Sequence, residues 1–249
     1  MSEAISLAYR VIDEQEQDKT ASTRRGILKG AAATFGSLGL LGLVADDRAV
    51  AAITAQNDPQ KILNIAATAE VLATIINTEG ARRVRGLDRV TRRNVAAAAQ
   101  QELEHYKVLR KIGGKELTKK IWVPDAVFAS RKGLLTTLEF GDQVFINAYL
   151  IATTVFGNAG QGENARYAAE FMGVEAVHRA LARQSLGKLG NDRVFMRYAF
   201  TQIDTAVKLL QDAGVGFGQK GKSPGRFYDF DVVKRRTPKV RGNNTFNVR

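Results

Sequence analysis

The chain contains no cysteine, which excludes disulfides, thiolate zinc sites, iron–sulfur clusters and thiol nucleophiles from its chemistry. Proline is also scarce, with four in 249 residues, and β-branched runs are few. Alanine-rich stretches punctuated by glycine therefore predict helices over strands. Histidine occurs only twice, as His105 and His178. No serine or threonine thus has a spare imidazole to activate it, and the glycine-rich segments match no phosphate-binding spacing.

This scarcity makes the setting of the two histidines informative. Each lies three residues after a glutamate, in Glu102-Leu103-Glu104-His105 and in Glu175-Ala176-Val177-His178. On a helix that spacing brings a carboxylate and an imidazole onto one face, one turn apart, where both can grip the same metal ion. Glu104 falls on another face and is expected to be solvated.

Apolar periodicity predicts helices over 59–79, 95–112, 134–156 and 163–186, and a fifth over 192–213 with Asp192 as its cap and no motif of its own. Glu70 is the only charged side chain between Ile62 and Ile76, so it should be buried and in need of a partner or a metal. The stripes Val95, Ala98, Glu102, His105, Leu109, Ile112 and Ala168, Phe171, Glu175, His178, Ala182 place both motif pairs on apolar faces. The third helix is apolar except for Glu139 and Asp142, one turn apart. The connection over 115–133, with Trp122 and Pro124, is long enough to cross between two helical hairpins.

Outside the central domain, taken as 52–214, two segments differ in composition. Thr23-Arg24-Arg25-Gly26-Ile27-Leu28-Lys29 resembles a twin-arginine export signal. An uncharged run over 30–45 follows, and then the small-residue site Ala49-Val50-Ala51, so that 1–51 reads as a signal segment cleaved after Ala51, or kept as an anchor. The net charge of +12 is concentrated at the other end. The last 30 residues carry Lys220, Lys222, Arg226, Lys234, Arg235, Arg236, Lys239, Arg241 and Arg249 against Asp229 and Asp231. Rich in glycine and unpatterned, 215–249 is expected to be an extended, unstructured tail that attracts an anionic surface, membrane or assembly partner. Nucleic acid is a poorer fit, because few aromatics beyond Phe227 and Tyr228 interleave with those cations.

The acids and histidines of buried type are Glu70, then Glu102 with His105, then Glu139, then Glu175 with His178, one group per helix. Their intervals of one helix plus one connection let four antiparallel helices bring all six to one level, as a cage for two metal ions. The oxygen-rich shell with two imidazoles favours iron or manganese.

Over about residues 55–214 this pattern resembles the ferritin-like superfamily of di-iron carboxylate proteins, and in particular exported members related to desiccation-associated proteins. The resemblance implies an all-α four-helix bundle with a long crossover between the second and third helices, an additional fifth helix and a basic extended tail. It implies metal ligation by Glu70, Glu102, His105, Glu139, Glu175 and His178, with two iron ions or manganese as cofactor. It leaves the reaction open among ferroxidase, oxidase and peroxide-reducing chemistry, with dioxygen or peroxide as the partner of the metal and a homo-oligomer as the assembled form. A structural or stress-protective protein of the envelope, its metal site only a fold staple, is the alternative. Asp142 is a candidate partner for a ligating histidine's free N–H, or an ordinary polar position, and Tyr106, Tyr149 and Tyr167 are candidates for hydrogen bonds near the cage.

Overall fold

The computed structural model describes residues 47–196 and 198–243, with side chains from residue 52 onward. The twin-arginine-like stretch and the apolar run after it lie outside the described residues, while Ala49-Val50-Ala51 falls within the first helix, α1 (Asp47–Gln56). Among the described residues, no helix is long and apolar enough to cross a membrane.

Four long helices make the body. The first, α2 (Pro59–Arg83), starts where the Asp58 carboxylate accepts from the Lys61 N–H at 2.7 Å, with Pro59 in the first turn. In α3 (Arg89–Lys111) Asp88 caps in the same way, accepting from the Thr91 N–H at 2.9 Å. Past its end Gly113 takes a φ of 99°, a left-handed conformation that suits glycine. A short helix, α4 (Asp125–Ala129), leads into α5 (Arg131–Asn158), capped by the Ser130 hydroxyl at the Gly133 N–H. A tight turn through Gly160 then reverses the chain into α6 (Gly162–Ser185).

The helices pair as two hairpins, α2 with α3 and α5 with α6, which pack on each other through α2–α5 and α3–α6. Every residue of α2 from Glu70 to Ala81 is buried, so this helix is enclosed on all sides. A carboxylate placed there has no route to solvent and must be satisfied from within. The sequence reading of an all-α four-helix bundle with a long crossover holds.

Two expectations fail outside the bundle. The fifth helix is shorter than periodicity indicated, spanning only α7 (Ile203–Asp212). Side chains from elsewhere claim the backbone up to its start: Asn147 Oδ1 of α5 accepts from the Ala199 N–H, and Asn57 Oδ1, between α1 and α2, from the Ile203 N–H, at 2.8 and 2.7 Å. Asp192 caps nothing and instead pairs with Arg179.

Residues 215–243, expected to be unstructured, are folded onto the bundle. The crossover strand β1 (Lys120–Pro124) is flanked by β2 (Gly216–Phe217) and β3 (Gly225–Asp229) in an antiparallel sheet, with Trp122 opposite both Gly216 and Phe227. A one-turn helix, α8 (Phe230–Val233), then buries Phe230 completely against the edge of Tyr106, the ring centroids 4.7 Å apart. The glycines that suggested disorder allow close backbone approach. A Cβ on Gly221 would run into the carbonyl oxygen of Gly214, and one on Gly225 would lie 2.7 Å from the Trp122 indole nitrogen.

Candidate metal centre

Six buried side chains converge between the hairpins: Glu70 from α2, Glu102 and His105 from α3, Asp142 from α5, and Glu175 and His178 from α6. The three glutamates have no solvent exposure at all. Two ligand sets result, Glu70, Glu102, His105 and Glu175 on one side and Asp142, Glu175 and His178 on the other, with the donor atoms of each set within 4.8 Å of one another.

Glu102 and Glu175 divide their oxygens between the two halves. Glu102 Oε2 lies 3.3 Å from His105 Nδ1, while its Oε1 lies 3.1 Å from His178 Nδ1. Glu175 repeats this, with Oε1 3.6 Å from His105 Nδ1 and Oε2 3.5 Å from His178 Nδ1. Glu70 belongs to the His105 half, its Oε1 3.7 Å from that ring nitrogen and hydrogen-bonded by the Tyr149 hydroxyl. The His105 ring stacks on Phe171 at 4.2 Å, which fixes its plane.

Among the described residues, the polar atoms aimed into this space have no other hydrogen-bond partner. They are both oxygens of Glu102 and of Glu175, Glu70 Oε2, Asp142 Oδ2 and the Nδ1 atoms of both histidines. Buried acceptors left in this way cost more than a fold tolerates without compensation. Four carboxylates and two imidazoles match the hard-oxygen and imidazole donors that divalent first-row metals take, and two such ions would neutralise the four acidic charges. The residues present thus fit metal, and the cluster could hold metal ions.

The electrostatics show how poorly the cluster tolerates its own charge. Burial, followed by the charge of Glu102, pushes Glu70 up from 4.5 to about 7. Asp142 is held well above the usual carboxylate range by burial and by Glu175. For both histidines burial opposes the charged form, yet the facing carboxylates outweigh it, Glu70 first at His105 and Glu102 first at His178, and both rings are pushed well above 6.5. Glu175 alone is lowered: burial works against its charge, and the hydrogen bonds of His105 and His178 overcome it.

Of the six ligands expected from sequence, the structure brings together five: Glu70, Glu102, His105, Glu175 and His178. Glu139 is not among them, and this is a correction. It is buried, but its Oε1 accepts from Arg183 at 2.6 Å and its Oε2 from Lys188 at 2.7 Å, so its charge is already matched. Asp142, three residues later and one turn along α5, takes the place assigned to Glu139. The signal was present in the sequence, since both acids stand alone in an apolar helix, but nothing local says which one meets Arg183 and Lys188. Of the three tyrosines only Tyr149 bonds to the cluster; Tyr167 reaches Glu163 at 3.3 Å and Tyr106 packs on Phe230. Glu104 is partly exposed and paired with Lys107 at 2.7 Å.

A family model described as a ferritin-like domain matches residues 58–188, which is the whole of the two hairpins. The chain belongs to the ferritin-like family. No curated protein and no solved structure matches this ferritin-like chain. The matched span contains all six converging side chains and the crossover strand β1, and ends before α7, the strands β2 and β3 and the C-terminal segment.

Proposed function

We propose that this ferritin-like chain holds two iron ions, or manganese ions, between its hairpins and acts as an exported oxidoreductase of ferroxidase, oxidase or peroxide-reducing type. The observation that carries the reading is the division of Glu102 and Glu175 between the two histidines, since two carboxylates with one oxygen in each half suit a pair of ions rather than one. Glu70 and His105 would complete one half, and Asp142 and His178 the other. Iron or manganese bound there would supply one-electron steps that two ions combine into two, which zinc has no redox chemistry to match. Tyr149 donates its hydroxyl proton in a hydrogen bond to Glu70 Oε1 and so orients that carboxylate, and Phe171, stacked on His105, keeps water from that ring. In the ferroxidase form ferrous iron is the substrate, two ions giving up one electron each while peroxide takes both electrons with two protons and leaves as water.

The stretch 23–29, which resembles a twin-arginine signal, supports export. The cationic C-terminal segment supports an anionic surface as partner: Arg93 donates to the Arg241 carbonyl at 3.1 Å, which brings Arg241 beside an α3 that is itself basic at its start. Leu189 and Val194, exposed in the connection before α7, are the apolar surface that a homo-oligomer would cover. A second reading, a stress-protective or structural protein stapled by its metal, is favoured by the near-complete burial of the cluster.

Stopped-flow oxidation of ferrous iron by peroxide and by dioxygen separates the two. Catalytic turnover by the full-length chain, lost in Asp142→Asn, supports the enzyme; two ions bound with no turnover supports the staple.

A further inference from the structure

We infer that the C-terminal segment is a positioning device for the metal centre, acting through Asn243 and Gln101 on the ring of His178. The inference rests on the metal reading for its consequence but on hydrogen bonds alone for its geometry. His178 Nε2 lies 2.7 Å from Gln101 Oε1. The other end of that amide, Nε2, donates to Asn243 Oδ1 at 2.8 Å, and Asn243 Nδ2 in turn donates to the Ala97 carbonyl and to Gln100 Oε1, both at 3.3 Å.

Amide groups can be drawn either way round, so the direction of such a chain must be fixed by something that cannot flip. Here backbone groups do it. The Ala97 carbonyl only accepts, and the Val240 N–H, which donates to Gln100 Oε1 at 3.0 Å, only donates. Asn243 must therefore point its nitrogen at Ala97 and Gln100 and its oxygen at Gln101. Gln101 must then present its nitrogen to Asn243 and its oxygen to His178. An oxygen facing Nε2 requires a hydrogen on Nε2, which leaves Nδ1 as the atom with a lone pair to give. Nδ1 is also the atom that faces Glu102 and Glu175 across the centre. The tautomer a metal needs is thus set from outside the bundle.

The segment is held for this task along its length. Arg236 pairs with the buried Glu79 at 2.8 Å, Thr237 meets Thr78 at 3.2 Å, and Arg241 receives Arg93. Among the described residues His105 has no such chain: stacking on Phe171 orients it, which makes it an internal control.

With only two imidazoles in the protein, nitrogen–proton correlation spectra of the full-length chain resolve both rings. Zinc alone serves as a diamagnetic probe, and the metal-free chain is measured in alkaline solution, where the rings are neutral. The expected result is a slowly exchanging Nε2 proton on His178 in both forms. Asn243→Ala should speed its exchange and weaken zinc in the His178 half about tenfold, the lower end of such outer contacts, with His105 unchanged. An Asn243→Ala spectrum with His178 unmoved, or with both rings moved alike, overturns the inference. Should zinc not bind the unaltered chain, the metal reading fails, and the metal-free spectra still decide the positioning role.

Discussion

Glu102 on α3 reaches across to His178 on α6 with one oxygen, 3.1 Å from Nδ1, while its other oxygen stays 3.3 Å from His105 on its own helix. This link ties the two hairpins at the depth of the core, and the expected outcomes below follow from it and from the groups around it.

Asp142 and Glu139 should separate cleanly. Asp142→Asn removes a charge from the cluster and should lower metal content in the His178 half while barely changing the metal-free melting temperature. Glu139→Gln should leave metal content unchanged and cost about 2 kcal/mol of stability, the scale of hydrogen bonds to charged groups, because Arg183 and Lys188 lose their buried anion. Metal analysis beside thermal denaturation of the two variants checks this; equal metal loss in both would return Glu139 to the site.

The raised Glu70 carboxyl sets a pH dependence. Its folded value, about 7, lies above the ordinary 4.5, so the stability it contributes is complete below about 4.5 and is lost as pH rises through 7. Both histidines are raised too, and their contributions are likewise lost as pH rises through their folded values, whereas that of the lowered Glu175 is lost only as pH falls below the usual carboxylate range. The metal-free protein should therefore melt at a lower temperature near pH 8.5 than near pH 5.5, while metal affinity rises over the same window as protons are displaced. Calorimetry with and without metal measures both; a metal-free protein that gains stability with rising pH would contradict the assignment.

The C-terminal segment should behave as part of the fold. Phe230 is completely buried against Tyr106, so Phe230→Ala should cost about 3–5 kcal/mol, as large-to-small core changes do. Exposed Lys239→Ala should leave stability unchanged and weaken binding to anionic vesicles in a salt-dependent way. Chemical denaturation and vesicle sedimentation test the pair. A Phe230→Ala variant as stable as the parent would mean the segment is the loose tail its composition suggests.

What the sequence made legible follows distance along the chain. Glu102 with His105 and Glu175 with His178 were readable because a helix turns a spacing of three into a shared face, and Glu70 because a lone acid in α2 had to be buried. Asp142 was not separable from Glu139, because the choice depends on where Arg183 of α6 and Lys188 just past its end lie. The sheet was invisible for the same reason: Trp122 finds Phe227 from more than a hundred residues away. Gln101 has the look of an ordinary exposed-type amide in sequence, since its meaning comes from Asn243 and from the His178 ring together.

The most direct test of the dinuclear centre is an anaerobic titration of the metal-free full-length chain with ferrous iron, read as ions bound per chain. Two ions should bind, falling to one in His178→Ala, which keeps Glu70, Glu102, His105 and Glu175 intact. Glu104→Ala should still bind two. A stoichiometry unchanged in His178→Ala, or a single ion in the unaltered chain, would contradict a site in which Glu102 and Glu175 are shared between two metals.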